Sequence, residues 1–190
     1  MQGKRIGFAL TGSFCTFKKV LPQVEALVSA GAEVTPIVSP SVAATDSRFG
    51  KAEYFWNELA RMTGREPLAT IAQVEPIGPK KLLDLMIVAP CTGNTLAKLA
   101  LGIADTPVTL ACKSHLRNGR PLLLAPSTND GLGNAAKNIG MLLNAKHVFF
   151  VPFGQDDPME KPNSLVAHMD RIPEAARLAL LESQMQPILL

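Results

Sequence analysis

The sequence predicts a three-layer α/β/α, Rossmann-like fold with a mainly parallel sheet, organised as one domain over residues 1–190 with a C-terminal loop and helix from about residue 152. Three observations lead there. The strand-like runs are apolar throughout, as in "IGFAL", "LLDLMIVAP" and "RPLLLAP", which suits strands covered on both faces. These runs alternate with segments of helical periodicity, the pattern of a parallel sheet flanked by helices. Four of them end in short polar loops, at the edge where such a sheet receives its ligand.

Taken in order, Ile6 to Leu10 reads as a first buried strand, ended by a Gly-containing turn. Val20, Val24, Leu27 and Val28 then recur on one helical face, and Gly31 supplies a left-handed stop. Glu33 to Val38 forms a second strand, and a polar loop leads to a helix near Ala52 to Met62 closed by Gly64. After the third strand, "NTLAKLALGIADTP" predicts a helix capped by Asn94, with Leu96, Leu99, Ala100 and Ile103 on one face. "TPVTLACKSHLRNG" predicts another, with Pro107 in its first turn and Gly119 just past its end. Strand, loop, helix and strand follow once more, and "IPEAARLALLESQ" gives a last amphipathic helix before Pro187.

Composition narrows the function classes. At 190 residues, with 47% hydrophobic and 18% charged residues, the chain has enough material for one well-buried core. A formal net charge of +3, with one Trp, one Tyr and eight Phe scattered along the chain, does not describe a nucleic-acid binder. No run is long enough for a membrane span, and the N-terminus has no signal-peptide layout, so a cytoplasmic protein is expected. Cys15, Cys91 and Cys112 are odd in number and lack metal-ligand spacing, so neither a disulfide framework nor a metal site is expected.

The polar loops are "TGSF", "SPS", "APCTGNT" and "APSTND". Each is rich in hydroxyls or amides where helix N-termini converge, which suits an anion. Gly12 admits close backbone approach and Ser13 adds a hydroxyl, although the six-position dinucleotide fingerprint is absent. Helix capping alone also calls for Ser, Thr and Asn, and both readings stay open on residue type.

"APCTGNTLAKLALGIADTPVT" resembles the signature of the flavin-dependent cysteine decarboxylase family, Pro-Ala-Ser-Ala-Asn-Thr followed by Lys-Leu-Ala-x-Gly-Ile-Ala-Asp. "TGSF" is similar to that family's first Gly-Ser loop, and "APSTND" to its Pro-x-Met-Asn loop, with Thr128 in place of Met. The resemblance implies FMN as cofactor, with Gly12, Ser13 and Ser39 around its phosphate and the loop from Pro90 to Thr95 against the isoalloxazine. It implies Phe14, Pro90, Thr92, Gly93, Asn94, Thr95, Asp105 and Ser127 as further cofactor contacts. Asn94 and Asn129 are its implied catalytic residues.

Along nearly the whole chain the resemblance is to one branch of that superfamily, a synthase subunit of spore-forming bacteria. That branch implies oxidation of a dihydro ring dicarboxylate from the lysine pathway in the mother cell, a nicotinamide-binding partner subunit, and a homo-oligomer of three or more copies. "TLAKLALGIA" and "NIGMLLNA" are the surfaces expected to meet a neighbour.

The departures are informative. "VEPIGPKK" lacks the decarboxylases' His before strand three, and Leu132 and Gly133 stand where their substrate loop has Met and Trp, which argues against decarboxylation of a peptidyl cysteine. His115, His147 and His168 are expected to be surface or packing residues. Lys113, Arg117, Arg120 and Lys161 are candidate carboxylate partners, although the first three also close a helix, where cations are favoured. Asn163 and Ser164, in a long loop, are comparable candidates. Three readings remain at this stage: a flavin-dependent oxidising subunit, a different flavin-fold enzyme such as a decarboxylase or flavin prenyltransferase, and a binding subunit without chemistry of its own.

Overall fold

The computed structural model describes every residue from Met1 to Leu190. Its strands are β1 (Arg5–Leu10), β2 (Glu33–Val38), β3 (Leu85–Cys91), β4 (Leu122–Thr128), β5 (Val148–Phe150), β6 (Phe153–Gly154) and β7 (Leu165–Ala167). They form a seven-stranded sheet in the order β2-β1-β3-β4-β7-β6, with β5 also paired to β4. The pairs β1–β2, β1–β3, β3–β4 and β4–β5 are parallel. Residues 6–10 of β1 and all of β3 are buried, which explains why these strands are apolar without alternation.

The helices are α1 (Phe17–Ser29), α2 (Pro40–Ala44), α3 (Ala52–Thr63), α4 (Ile71–Val74), α5 (Gly93–Ala100), α6 (Pro107–Leu116), α7 (Ala136–Leu143) and α8 (Ile172–Ala179). Helix α1 packs on α3, α8 and the sheet, whereas α6 packs on α4, α5 and the sheet. One cluster of 46 buried hydrophobic residues runs through these layers. Val20, Val24 and Leu27 are the buried face of α1, and Gly31, at φ +86°, ends it. Gly64, at φ +65°, closes α3 in the same way. No helix is long and apolar enough to cross a membrane.

Four local expectations change. Helix α5 stops at Ala100, and Gly102, at φ +70°, turns the chain, so Ile103 lies outside the helix and is exposed. Its N-cap is Thr92, not Asn94, because the Thr92 hydroxyl accepts from Thr95 N–H at 3.3 Å. Helix α8 ends at Ala179 and a turn over 180–182 follows, with Leu181 exposed and Glu182 at φ +55°. The segment read as a C-terminal loop contains β6 and β7, which pair antiparallel. Strand β4 outruns β5, and its exposed edge at Ser127 and Thr128 pairs antiparallel with β7.

At the amino end of the sheet Asp84 holds three segments together. It accepts from Arg5 Nη2 at 2.6 Å, Arg5 Nε at 3.2 Å and the Arg5 backbone N–H at 3.0 Å. Arg120 approaches it at 3.4 Å while donating to the carbonyls of Lys81 and Leu83. These bonds, those from the Arg5 side chain foremost, outweigh desolvation and lower the Asp84 carboxyl to about 2. A depressed folded-state value stabilises the protein above the unfolded carboxyl range, and that stability is lost as pH falls through the folded value. Asp84→Asn is therefore expected to cost about 1–2 kcal/mol at pH 7, less than the full worth of the shift because the site is partly exposed. Urea unfolding should show the wild type losing this increment between about pH 4 and 2, whereas the variant should lack that part of the acid limb. Parallel pH profiles for the two proteins would contradict the assignment.

Candidate functional site

Strand β1 leads to β2 on one side and its neighbour β3 leads to β4 on the other, so the loops leaving these two carboxyl ends diverge and open a crevice there. Thr11, directly after β1, ties the crevice walls together. Its buried hydroxyl donates to the Pro90 carbonyl at 2.6 Å and accepts from Thr92 N–H at 3.0 Å. Thr11 opens the "TGSF" loop, where residue type alone marks no role for it, and the pairing of β1 with β3 supplies one.

Two cavities adjoin at Gly12 and Thr92. The smaller, about 220 Å³, is lined by hydroxyls of Thr11, Ser39, Ser41, Thr95 and Thr106, together with Asn94 and Lys98. The first turns of α2, α5 and α6 all face it, and Ser39, Thr92 and Thr106 cap these helices through Val42, Thr95 and Thr109 N–H. The first-turn amides of Gly93 and Asn94 precede the capped positions of α5, and helix N-termini of this kind favour an anion. Lys98 adds a cation at the rim, held by both oxygens of Asp105 at 2.8 Å. That pairing lowers the Asp105 carboxyl.

The larger cavity, about 540 Å³, is walled by Ser13, Phe14, Cys15, Gly93, Ser127 and Asn129, with Lys19, Arg48, Phe49, Asp156 and Lys161 towards its rim. Ser13 Oγ and Ser127 Oγ lie 2.7 Å apart across 114 residues of sequence. The backbone N–H groups of Gly12, Phe14 and Cys15 donate to no acceptor in the chain. A Cβ at Gly12 would sit 3.0 Å from Ser41 Oγ, and one at Gly93 only 2.6 Å from Thr128 Oγ1. Both glycines therefore keep the floor open.

The proposed contacts divide between these cavities. Ser39, Asn94 and Thr95 line the smaller, Ser13, Phe14, Gly93, Ser127 and Asn129 the larger, and Gly12 and Thr92 both. Asn94 and Asn129 thus lie in different cavities. Pro90 is buried in β3 with its carbonyl bound to Thr11, and Asp105 lies behind Lys98; neither lines a cavity. Of the candidate cations, only Lys161 reaches the site. Lys113 donates to the Gly102 carbonyl, Arg117 lies beside Gly78, and Arg120 is at the amino end of the sheet. Asn163 accepts Leu132 N–H through its carbonyl, and Ser164 is buried. The Ser164 hydroxyl is close enough to Asp156 to lower that carboxyl, but outside hydrogen-bond geometry.

His115 is buried and bonded to the Pro121 carbonyl at 2.9 Å, and burial lowers its pKa to about 4. His147 pairs with Glu182 at 2.8 Å, away from both cavities. His168 lines an adjoining cavity of about 510 Å³ that meets the larger one at Lys19, Asp156 and Val166. Cys91 and Cys112 are core thiols that burial pushes upward, whereas Cys15 is exposed on the cavity wall.

The flavoprotein family model matches residues 1–174. The B-type subunit of dipicolinate synthase from Bacillus subtilis (strain 168) is 49% identical over 189 residues, covering 100% of this chain and 94% of that protein. The crystal structure of the B-type dipicolinate synthase subunit from Bacillus halodurans superposes with a TM-score of 0.92 at 46% identity, covering 100% of this chain and 97% of that one. An FMN-dependent cysteine decarboxylase, SpaF, shares the fold at a TM-score of 0.64 and 18% identity, over 95% of this chain and 97% of its own.

The Thr11 bridge is open to direct test. Thr11→Val keeps the shape but strands the Thr92 N–H and removes the donor to Pro90, at a cost of about 1–3 kcal/mol. Thr11→Ser should restore most of it. Guanidinium unfolding checks both variants, and a Val variant as stable as wild type would remove the bridge from the account.

Proposed function

The chain belongs to the flavoprotein family, and from that premise we propose that it is the FMN-binding subunit of a dipicolinate synthase. It works with a second, nicotinamide-binding subunit in the mother cell of a spore-forming bacterium. The observation that carries this reading is the pair of joined cavities at the strand ends, one small and ringed by helix N-termini, the other larger and walled by Phe14 and Phe49. The full-length likeness to the Bacillus subtilis dipicolinate synthase protein supplies the reaction class.

The residues fit the cofactor. The smaller cavity offers hydroxyls, first-turn amides and Lys98 to a phosphate. Gly12 and Gly93 keep the passage clear for the ribityl chain and ring, and Ser13 and Ser127 present hydroxyls to the ring edge. A bound oxidised flavin supplies two-electron oxidation of a dihydrodipicolinate-type ring to the aromatic dicarboxylate. The chain itself would bind and orient: Phe14 would offer an aromatic face, Asn94 would lie in the cavity suited to the phosphate, and Asn129 would provide an amide able to donate or accept in the larger cavity. Self-association into trimers or larger assemblies would use the apolar side chains left exposed just after α5 and on α7, Leu101, Ile103, Met141 and Leu143. A monomer in sedimentation with FMN present would remove that part.

The visible spectrum of the purified chain, titrated with FMN, tests the site. Gly12→Val should raise the FMN Kd at least about tenfold, because its side chain would collide with Ser41 and fill the phosphate approach. Unchanged FMN affinity would put the phosphate elsewhere. Dipicolinate formation is then measured with this chain alone, with the nicotinamide-binding partner alone and with both. Full activity from the partner by itself would leave this chain a binding role, and full activity from this chain by itself would remove the two-subunit requirement.

A further inference from the structure

The larger cavity has a feature that cofactor binding leaves unused. Three cations from three separate segments meet on its wall: Lys19 of α1, Arg48 of the turn between α2 and α3, and Lys161 of the loop between β6 and β7. Asp156 is the one acid among the lining residues. Lys19 and Arg48 take part in no ion pair of the chain. Lys161 meets Asp156 only at 3.5 Å, with both side chains substantially exposed. Such a pair contributes little and is readily exchanged.

Arg48 is also held in place. Ser47 and Gly50 exchange two backbone hydrogen bonds, of 3.0 and 3.1 Å, that fix the turn, and the guanidinium lies 4.8 Å above the Phe49 ring. A planar fork of donors fixed on an aromatic face suits a carboxylate, which it grips with two parallel hydrogen bonds. Phe14 and Phe49 add flat apolar surface to the same wall. The wall is thus net positive, aromatic on one side, and cationic from several directions, which describes a receptor for a small planar dianion.

We propose that Arg48 binds one carboxylate of the ring substrate and that Lys161 with Lys19 binds the other, making these three the residues that select a dicarboxylate. This rests on the proposed function for the identity of the ring, but not for its mode of capture.

Isothermal titration of the full chain with pyridine-2,6-dicarboxylate, with and without FMN, tests the assignment. Wild type is expected to bind it. Arg48→Gln should weaken binding at least about tenfold through loss of a charge-assisted pair, Lys161→Gln by a lesser factor, and Arg48→Lys should recover only part of the loss. Pyridine-2-carboxylate should bind wild type about tenfold more weakly than the dicarboxylate. FMN affinity should stay within about twofold in every variant, since the residues assigned to the phosphate line the other cavity. Arg48 is exposed, and matching thermal transitions will confirm that the variants fold. Dicarboxylate binding that depends on Arg48 in a chain that never takes up FMN would uphold this inference and remove the flavin reading. FMN binding without dicarboxylate binding, equal affinity for the two pyridine acids, or wild-type affinity in the Arg48 and Lys161 variants would overturn it.

Discussion

The site depends on one buried hydroxyl. Thr11 stands where β1 ends, and by bonding the Pro90 carbonyl and the Thr92 amide it fixes where the chain leaving β3 turns. That turn sets the start of α5, because Thr92 is also its N-cap. The start of α5 in turn sets which first-turn amides face the smaller cavity and how closely Gly93 approaches Thr128. A threonine suits this position because a hydroxyl both donates and accepts, and the two backbone groups it serves have opposite needs. Valine, of nearly the same shape, would leave both needs unmet inside the protein.

Charge is divided between the two ends of the sheet, and strand-helix topology explains how. In a parallel α/β unit each helix runs back against the strand before it, so helix N-termini gather at the carboxyl ends of strands and helix C-termini at the amino ends. Lys113 and Arg117 close α6 and Arg120 precedes β4, so all three lie at the end remote from the crevice, where Arg120 helps Arg5 neutralise Asp84. The cations that reach the larger cavity sit instead on the first turn of α1, on a tied turn and on a late loop. Lys98, in the last turn of the short helix α5, still reaches the smaller cavity, so this geometry removes the cations of α6 from the site but not that of α5.

This rule also explains what the sequence could disclose. β1, β3 and β4 were legible because burial on both faces leaves an unbroken apolar run, and α1 and α3 because a glycine in the left-handed region marks each end. Helices α2 and α4 and strands β6 and β7 span five residues or fewer, too few to display a period. The four polar loops were legible as a group, and all four supply cavity-lining residues. Their internal roles were not. Asn94 and Thr92 are both competent caps by residue type, and only the bend at the end of β3 decides between them. Lys19 and Arg48 lack any local signature, since their shared wall is created by contacts between α1, α2 and α3.

The titratable groups indicate how work is shared on the proposed reading. Burial in the core lowers the His115 pKa, and the ring is bonded to the Pro121 carbonyl rather than placed in a cavity. Cys91 and Cys112 are held as thiols by burial, and Asp156, on the wall of the larger cavity, is pushed towards its ionised form. An ionised Asp156 with a depressed pKa is a weak proton acceptor, and its sign suits it to hold Lys161 until a stronger anion competes for the cation. Apart from Asp156 and Cys15, the polar and aromatic side chains lining the two cavities are hydroxyls, amides, cations and phenyl rings, groups that orient and select. On the proposed reading, a dihydro ring becomes aromatic by losing a hydride and a proton, two electrons in all. It needs to be held flat, by both carboxylates, against whatever receives them.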